Sequence, residues 1–346
     1  MWNLGKLAST VQQNCHISDA RHASDYTVCV YLLKMREFYR WENDIPLTGQ
    51  LPREEVGNWL QERERLWDGL ETQAYEPIPL ERGIADPFDS KSINDELAPR
   101  GYVYSAGYGR FNKPHFFLAA LARTEQRAGF TIYTSSCEYA RDMDAPPAML
   151  QQQNIFVRQE SVRRFLWEKV EEWRWNRKNE AMAQALADYP FDDDPANALE
   201  RMTQHETESM VLHELGEGMA GELLGNDWNA MLIDVSHSKA EIMARAVRDL
   251  LADSLSTLPG LVAGDNAASL HFHFATFSGM RRHLYPEALD TYRQWARNHD
   301  TDQLQRLADT GRERWLATAR AMLDIHRTCG SEAAPRIEQL LEPRSA

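Results

Sequence analysis

The chain has 346 residues, with 52 acidic and 38 basic side chains and a formal net charge of −14. A surface this acidic repels phosphate backbones and anionic headgroups, so we expect neither nucleic-acid binding nor membrane-surface binding. Hydrophobic residues make up 43% of the chain, which is enough to pack a core and excludes a disordered protein.

The compartment is predicted from the first residues and from the cysteines. The opening MWNLGKLASTVQQNC lacks the apolar stretch of a secretion signal, and no run of about 18 apolar residues predicts a membrane-spanning helix. The four cysteines form no CxxC pair that would indicate a zinc site. We therefore predict a cytoplasmic protein with free thiols.

The first 100 residues predict helices followed by a connecting segment. Residues 17–42 contain neither Gly nor Pro and predict one long helix, and 53–74 predict an amphipathic helix. Residues 75–100 are rich in proline and show no sustained period, which is typical of a connection.

Strand patterns follow this connection. Aromatic and β-branched residues predict short strands near 101–109, 130–136 and 154–158. Between the first two, the stretch PHFFLAALARTEQR predicts a helix. Three short strands with one helix indicate a small α+β unit packed on a helical body.

Helical patterns dominate from residue 159 onward, including one helix over about 196–225 that stops at Gly225. The predicted fold class is therefore mainly α, a multi-helix, bundle-like body with the small α+β unit. The predicted segments are 1–75 (helical), 76–158 (linker and α+β unit) and 159–346 (helical), where the last and first are allowed to form one continuous fold.

The helix over 196–225 carries the strongest candidate for chemistry. With Glu206 at 0° on a helical wheel, His213 falls at about −20° and Glu217 at about +20°, so the three side chains share one face. That face is otherwise apolar, and two buried carboxylates need a basic partner, a proton or a metal ion. Carboxylates and imidazoles from facing helices form the metal sites of helix bundles.

The spacing Glu206-x6-His213 resembles the central ligand element of the heme-oxygenase-like di-iron oxidases. This all-α family has further acidic and histidine ligands facing such a helix, so the resemblance implies an oxygen-activating iron site. It covers eight residues of the chain. The family's later Asp-x3-His element has no counterpart, because the closest spacings, Asp249-x3-Asp253 and His283-x3-Glu287, both end in an acid.

Further histidines are candidate ligands if they converge on this helix. His271 and His273 would face the same side of a strand but would diverge by about 200° in a helix. His283 lies just before Pro286, at a helix boundary. Near the N-terminus, Asp19 and His22 have the i,i+3 spacing used in bundle metal sites.

Two functional hypotheses remain open. The first is a soluble helical metalloprotein, a non-haem iron or manganese oxidoreductase acting on a small molecule, with metal ligands among Glu206, His213, Glu217, His271, His273 and His283. The second is a non-enzymatic interaction or regulatory protein whose His/Glu cluster is structural, with Arg245 or Arg248 pairing the acids. The predicted partners are a small-molecule substrate or another protein, and homo-oligomerisation is left open.

Overall fold

The computed structural model describes residues 3–109, 112–264 and 266–342. The chain divides into two compact units. Unit 1 is Met1–Lys169 with Pro195–Thr203, and unit 2 is Val170–Asp194 with Gln204–Ala346. The helices α5 (Gln159–Trp175) and α7 (Pro195–Leu224) each contribute residues to both units.

Unit 1 combines helices with a curled five-stranded sheet. Its other helices are α1 (Leu4–His22), α2 (Val28–Glu42), α3 (Arg53–Asp68) and α4 (Ser90–Leu97). Its strands are β1 (Ile78–Leu80), β2 (Gly83–Ala85), β3 (Tyr102–Tyr108), β4 (Pro114–Arg127), β5 (Phe130–Arg141), β6 (Ala148–Gln151) and β7 (Asn154–Arg158). The strand order is β3-β4-β5-β7-β6, with β5 and β7 parallel and the other pairs antiparallel, while β1 and β2 form a separate hairpin.

The predicted helix PHFFLAALARTEQR is wrong, because this stretch is the long strand β4. Both faces of its first half are buried: Phe116 and Leu118 pack in one hydrophobic cluster, and Phe117 and Ala119 pack in another. A strand covered on both sides shows no alternation of apolar and polar residues, so its sequence is easily taken for a buried helix.

The predicted single helix over 17–42 is also wrong. It is two helices, since α1 ends at His22 and a 3₁₀ turn, Ala23–Asp25, separates it from α2. Across this turn the imidazole of His22 contacts the carboxylate of Asp25 at 2.8 Å. Helix α1 packs its apolar side, including Leu7 and Val11, against β4 and β5.

Unit 2 is helical throughout its described residues, apart from the connections between helices. Besides its parts of α5 and α7, it contains α6 (Glu180–Ala187), α8 (Asn226–Asp234), α9 (Lys239–Ala252), α10 (Leu258–Ala263), α11 (Ala267–Thr276), α12 (Gly279–Leu284), α13 (Pro286–Asn298), α14 (Thr301–Cys329) and α15 (Ala334–Leu341). One π-helical turn, Asp253–Thr257, joins α9 to α10. A large apolar cluster, which includes Val247, Leu304 and Trp315, lies in the core of this unit.

The predicted fold class is therefore wrong in its proportions. Strands lie near the three predicted positions, but β1, β2, β4 and β6 were not predicted, and the sheet forms a substantial domain rather than a small appended unit. The fold combines an α+β unit with a helical unit. Within the described residues, no helix has both the length and the apolar content that crossing a membrane requires.

Candidate functional site

The three predicted ligands on α7 do not converge on one point. Glu206 Oε1 accepts a hydrogen bond from Ser269 Oγ at 2.7 Å, while His213 Nδ1 lies 3.3 Å from Asp253 Oδ1. Glu217 Oε2 accepts a hydrogen bond from Arg248 Nη2 at 2.9 Å. Among the described residues, these side chains do not form a group of three within metal-ligand distance.

Close backbone packing brings His213 to Asp253. A Cβ atom on Gly216 would lie 2.3 Å from the carbonyl oxygen of Ala252, so only glycine permits this approach of α7 to the end of α9. The π-helical turn begins at the next residue, Asp253, whose carboxylate also accepts a hydrogen bond from Arg281 Nη1 at 3.0 Å. π-Helical turns of this kind are frequent at functional sites.

The cluster around His213 and Asp253 contains both acidic and basic side chains, and their charges shift one another's pKa values. Burial alone lowers the pKa of His213, but the hydrogen bond and charge of Asp253 outweigh it and raise the pKa to about 9. Burial and the nearby Glu217 raise the pKa of Asp249 to about 6, and burial lowers the pKa of His273 to about 4. With Arg281 on Asp253 and Arg248 on Glu217, the contacts are those of an ion-pair network.

Two further predicted ligands, His271 and His283, lie outside this ion-pair network. His271 Nδ1 lies 2.8 Å from the hydroxyl of Tyr292, in the apolar core of unit 2. His283 is exposed on α12. Arg245 pairs with Glu241, not with the α7 acids. Iron or manganese binding by these residues stays a prediction, and the Arg248–Glu217 pair supports the alternative hypothesis of a structural cluster.

Replacing Asp253 with asparagine is expected to lower the pKa of His213 well below about 9, since burial then acts against only the weaker raising effects of Glu214 and Glu217. Titration of the imidazole by NMR measures this shift. Because the folded pKa is raised, the pair stabilises the fold fully below pH 6.5 and loses this contribution as the pH rises through about 9.

The matched control for this prediction is Asp234→Asn, which removes the carboxylate 2.8 Å from His326 Nε2 and should leave the titration of His213 unchanged. A pKa near 9 that persists in Asp253→Asn would show that another group holds the proton on His213.

Unit 1 contains a second charged cluster around Lys113. It includes Asp19, whose predicted i,i+3 partner His22 instead pairs with Asp25. The side chain of Lys113 is fully buried, and its Nζ lies 2.7 Å from Asp19 Oδ1, 3.0 Å from Asp144 Oδ2 and 3.8 Å from Asp142 Oδ1. Burial alone lowers the pKa of Lys113, but the three carboxylates outweigh it and hold the pKa well above its usual value. Lys113 is therefore a buried cation.

The same cluster holds the one group in the described part of the chain with the geometry of a metal site. Ligand atoms of His115, Asp142 and Asp144 all lie within 4.8 Å of one another. These atoms already have partners. His115 Nδ1 contacts Asp142 Oδ2 at 3.0 Å, the Tyr26 hydroxyl donates to Asp144, and Asp142 Oδ1 accepts bonds from the backbone N–H groups of Asp144 and Ala145. Lys113, together with Lys34 on Asp144, already occupies the positions of positive charge beside these carboxylates, so a metal ion would have to displace them, and the residues as arranged do not fit one.

A third feature of unit 1 is a cavity of about 390 Å³, which we call the arginine pocket. It is lined by the last turns of α2 and the loop after it, the end of β5, and the first turns of α5 and α7. Four of its lining residues are arginines: Arg40, Arg141, Arg163 and Arg164. Aromatic and aliphatic side chains complete the wall, including Trp41, Ile45 and Leu199.

Arg141 differs from the other lining arginines. It is 1% exposed, the lowest value in the lining, and neither Nε nor Nη2 has a hydrogen-bond acceptor among the described residues. Its nearest carboxylate, Glu138, lies 3.8 Å from Nη1 and is already bound by Arg158. Burial lowers the pKa of Arg141 to about 10, against the raising effect of Glu138. Two N–H groups of a buried cation are thus unsatisfied.

The position of Arg141 is held by its backbone. Gln12 of α1 accepts from the N–H of Arg141 at 3.1 Å and donates to its carbonyl at 3.0 Å. The sequence analysis did not select Arg141 as a site residue. A sequence signal was present, however, because Arg141 lies five residues after the strand pattern FTIYTSS at 130–136.

Two family models match the chain. Residues 6–158 match the N-terminal domain, and residues 163–344 the C-terminal domain, of DUF6866, described as a family of unknown function. No curated protein and no solved structure matches the chain.

Proposed function

Because the chain belongs to the DUF6866 family, whose function is unknown, we propose a function from its own geometry: the protein binds a small anionic molecule in the arginine pocket of unit 1. The observation that carries this proposal is the set of four arginines around the cavity, which includes Arg141, a buried guanidinium whose Nε and Nη2 have no acceptor among the described residues.

Burying a cation without a full set of acceptors is unfavourable, and an anionic ligand offsets that cost. The apolar wall strengthens the attraction, since charges interact more strongly where water is excluded. Cavities of about 300–1,000 Å³ with a few converging polar groups are typical small-molecule sites. The arginine pocket has this size and composition.

This proposal assigns binding, not catalysis. It keeps the predicted small-molecule partner and treats the α7 cluster and the Lys113 cluster as ion-pair networks that stabilise their units. Cytoplasmic location is part of the proposal and is supported by the four cysteines, all of which are free thiols in the structure.

Filling the pocket is expected to weaken the binding of anionic molecules at least tenfold. Ala196 lines the cavity but is exposed, so Ala196→Trp places an indole in it while leaving the buried core in place. A panel of small anionic, neutral and cationic molecules is screened by thermal shift and titration calorimetry. We expect anionic members to raise the melting temperature of the natural chain and to lose at least tenfold in affinity in the variant.

The control is Ala187→Trp, an equally large change at an exposed residue that does not line the cavity. It should bind the same molecules with unchanged affinity. If no anionic molecule distinguishes the natural chain from Ala196→Trp, the pocket is not the binding site and the proposal fails.

A further inference from the structure

We propose that the exposed face of α2 binds the same face of a second copy of this chain, so that two copies form an antiparallel dimer with two-fold symmetry. The face, which we call the α2 stripe, consists of Val28, Cys29, Leu32, Leu33 and Arg36. Its exposed apolar side chains, the opposite charges at its two ends and its symmetry support this dimer. The dimer does not depend on anion binding in the arginine pocket.

The first half of α2 has one buried side and one exposed apolar side. Met35 packs in an apolar cluster of unit 1 and holds the helix in place. On the other side, Val28 is 72% exposed, Leu32 46% and Leu33 57%, and Cys29 is also exposed. Val28 and Leu32, like Cys29 and Leu33, are four residues apart, so the four side chains form two adjacent rows. Apolar side chains grouped in this way mark interaction sites, unlike apolar residues that are scattered singly.

The beginning of the α2 stripe is acidic. Val28 lines a hollow of about 540 Å³, which we call the acidic hollow, together with Glu64, Asp68 and Glu71. None of the described residues that line this hollow is basic. A positive charge from outside the chain would therefore be attracted to this end of the stripe.

The stripe ends at Arg36, which keeps a positive charge. Nη2 of Arg36 lies 2.8 Å from Glu37 Oε1, but Arg40 Nε donates to the other oxygen of the same carboxylate at 3.1 Å. Two guanidinium groups thus share one carboxylate, so the three side chains together carry a charge of +1. Arg36 is exposed and can reach a partner, whereas Arg40 is buried.

These features make the stripe complementary to itself. Val28 and Arg36 are each four residues from Leu32. In an antiparallel pairing centred on Leu32, this leucine faces its counterpart across the two-fold axis, and Arg36 of each copy lies beside Val28 and the acidic hollow of the other. A parallel pairing would instead bring like charges together, which disfavours it. A second copy supplies both the apolar surface and the cation that the stripe lacks, and for this reason we infer a second copy as the occupant.

The interface is small, because each copy contributes about three turns of one helix. We therefore expect a weak dimer, with a Kd of about 1–100 µM. The formal charge of −14 on each copy opposes association. At about 0.15 M salt, however, charges separated by more than about 8 Å are largely screened, so the contacts of the stripe decide the outcome.

The first test is sedimentation velocity of the full chain from about 1 to 200 µM in about 0.15 M salt. We expect a reversible monomer–dimer equilibrium. Leu32→Glu places two carboxylates opposite each other at the two-fold axis, so it should raise the Kd at least tenfold. The matched control is Leu223→Glu on α7, because Leu223 is 45% exposed and Leu32 is 46% exposed, and this control should leave the Kd unchanged.

A charge exchange tests the antiparallel arrangement. Arg36→Glu and Asp68→Arg each bring like charges together at both ends of the interface, so each should weaken the dimer. The double variant exchanges the two charges and should dimerise more tightly than Arg36→Glu alone. The melting temperature of each variant is measured first, so that loss of the fold is not mistaken for loss of the dimer.

The natural chain provides a second test that requires no variant. Cys29 lies in the α2 stripe, whereas Cys137 on β5 is exposed outside it. Iodoacetamide should therefore alkylate Cys29 more slowly at protein concentrations above the Kd than below it, and the rate at Cys137 should not change. Mass spectrometry of the modified peptides measures both rates.

A chain that remains monomeric at about 200 µM would overturn the proposed dimer, and the stripe would then be a site for a different protein. A dimer that Leu223→Glu weakens as much as Leu32→Glu, or one that leaves the alkylation of Cys29 unchanged, would also overturn it. If Leu32→Glu prevents dimerisation but the double charge variant is no tighter than Arg36→Glu, the antiparallel arrangement is wrong.

Discussion

Replacing Lys113 with methionine is expected to lower the free energy of unfolding by about 3–5 kcal/mol, the cost of breaking a buried ion pair by removing one partner. Methionine matches the length and shape of the aliphatic part of lysine, with a sulfur in place of the δ-methylene, and lacks the ammonium group. Asp19 and Asp142, which are also fully buried, and the mostly buried Asp144 then face one another without the cation between them. Urea denaturation followed by tryptophan fluorescence measures the change.

The matched control for this prediction is Lys91→Met. Lys91 forms an i,i+4 pair with Asp95, but both side chains are mostly exposed, so its loss should leave stability nearly unchanged. Equal effects of the two substitutions would mean that water reaches the Lys113 cluster and screens its charges. If the prediction is correct, Lys113→Met should lower the free energy of unfolding less at low pH than at pH 7, because protonated aspartates carry no charge for the cation to balance.

Replacing Glu206 with glutamine is expected to stabilise the protein at pH 8 by about 3 kcal/mol. Burial raises the pKa of Glu206 from 4.5 to about 7, although the hydroxyls of Ser269 and Ser209 oppose this, and Oε2 has no hydrogen-bond partner among the described residues. A rise of about 2.5 pKa units at about 1.36 kcal/mol each sets the expected size.

The sign follows from the direction of the shift. Because the folded pKa lies above the unfolded value, the unfavourable charge of Glu206 develops as the pH rises from about 4.5, and its cost is fully present above about pH 7. Glutamine is neutral at every pH and keeps an acceptor for Ser269. The stabilisation should therefore be large at pH 8 and vanish below about pH 4.5, as thermal denaturation at several pH values would measure.

Glu222→Gln, at an exposed residue of the same helix, is the control and should change stability little at either pH. If Glu206→Gln instead destabilises the protein at pH 8, a cation must stabilise the carboxylate. That result would support the metal hypothesis, and metal analysis of untagged protein would be the next measurement.

Local sequence patterns identified several features of the fold correctly. The helix predicted over about 196–225 lies at Pro195–Leu224, because a long stretch without a breaker before Gly225 specifies a helix locally. Glu206, His213 and Glu217 were placed on one face by the helical period alone, and His213 Nε2 does lie 3.8 Å from Glu217 Oε1. Arg248, named as a partner in the structural alternative, contacts Glu217.

Sequence patterns gave the wrong secondary structure where both faces of a strand are buried. The pattern over β4 predicts a helix, because the period of two disappears where Phe116 and Phe117 are covered equally. The sheet was consequently underestimated. The alternation that would have placed His271 and His273 on one strand face was also misleading, since α11 is a helix and only His273 lies near Asp253.

The sequence by itself determined the acidic charge, the apolar content and the residues that share a helix face, because these depend on composition and on the local period of the backbone. Only the tertiary structure decided which charges meet. Lys113 and Asp19 are 94 residues apart, yet their side chains form a buried pair, and Arg141 approaches Trp41 from a different element. Whether a buried charge has a partner depends on packing between distant segments, and this is the property that separates the satisfied Lys113 from the unsatisfied Arg141.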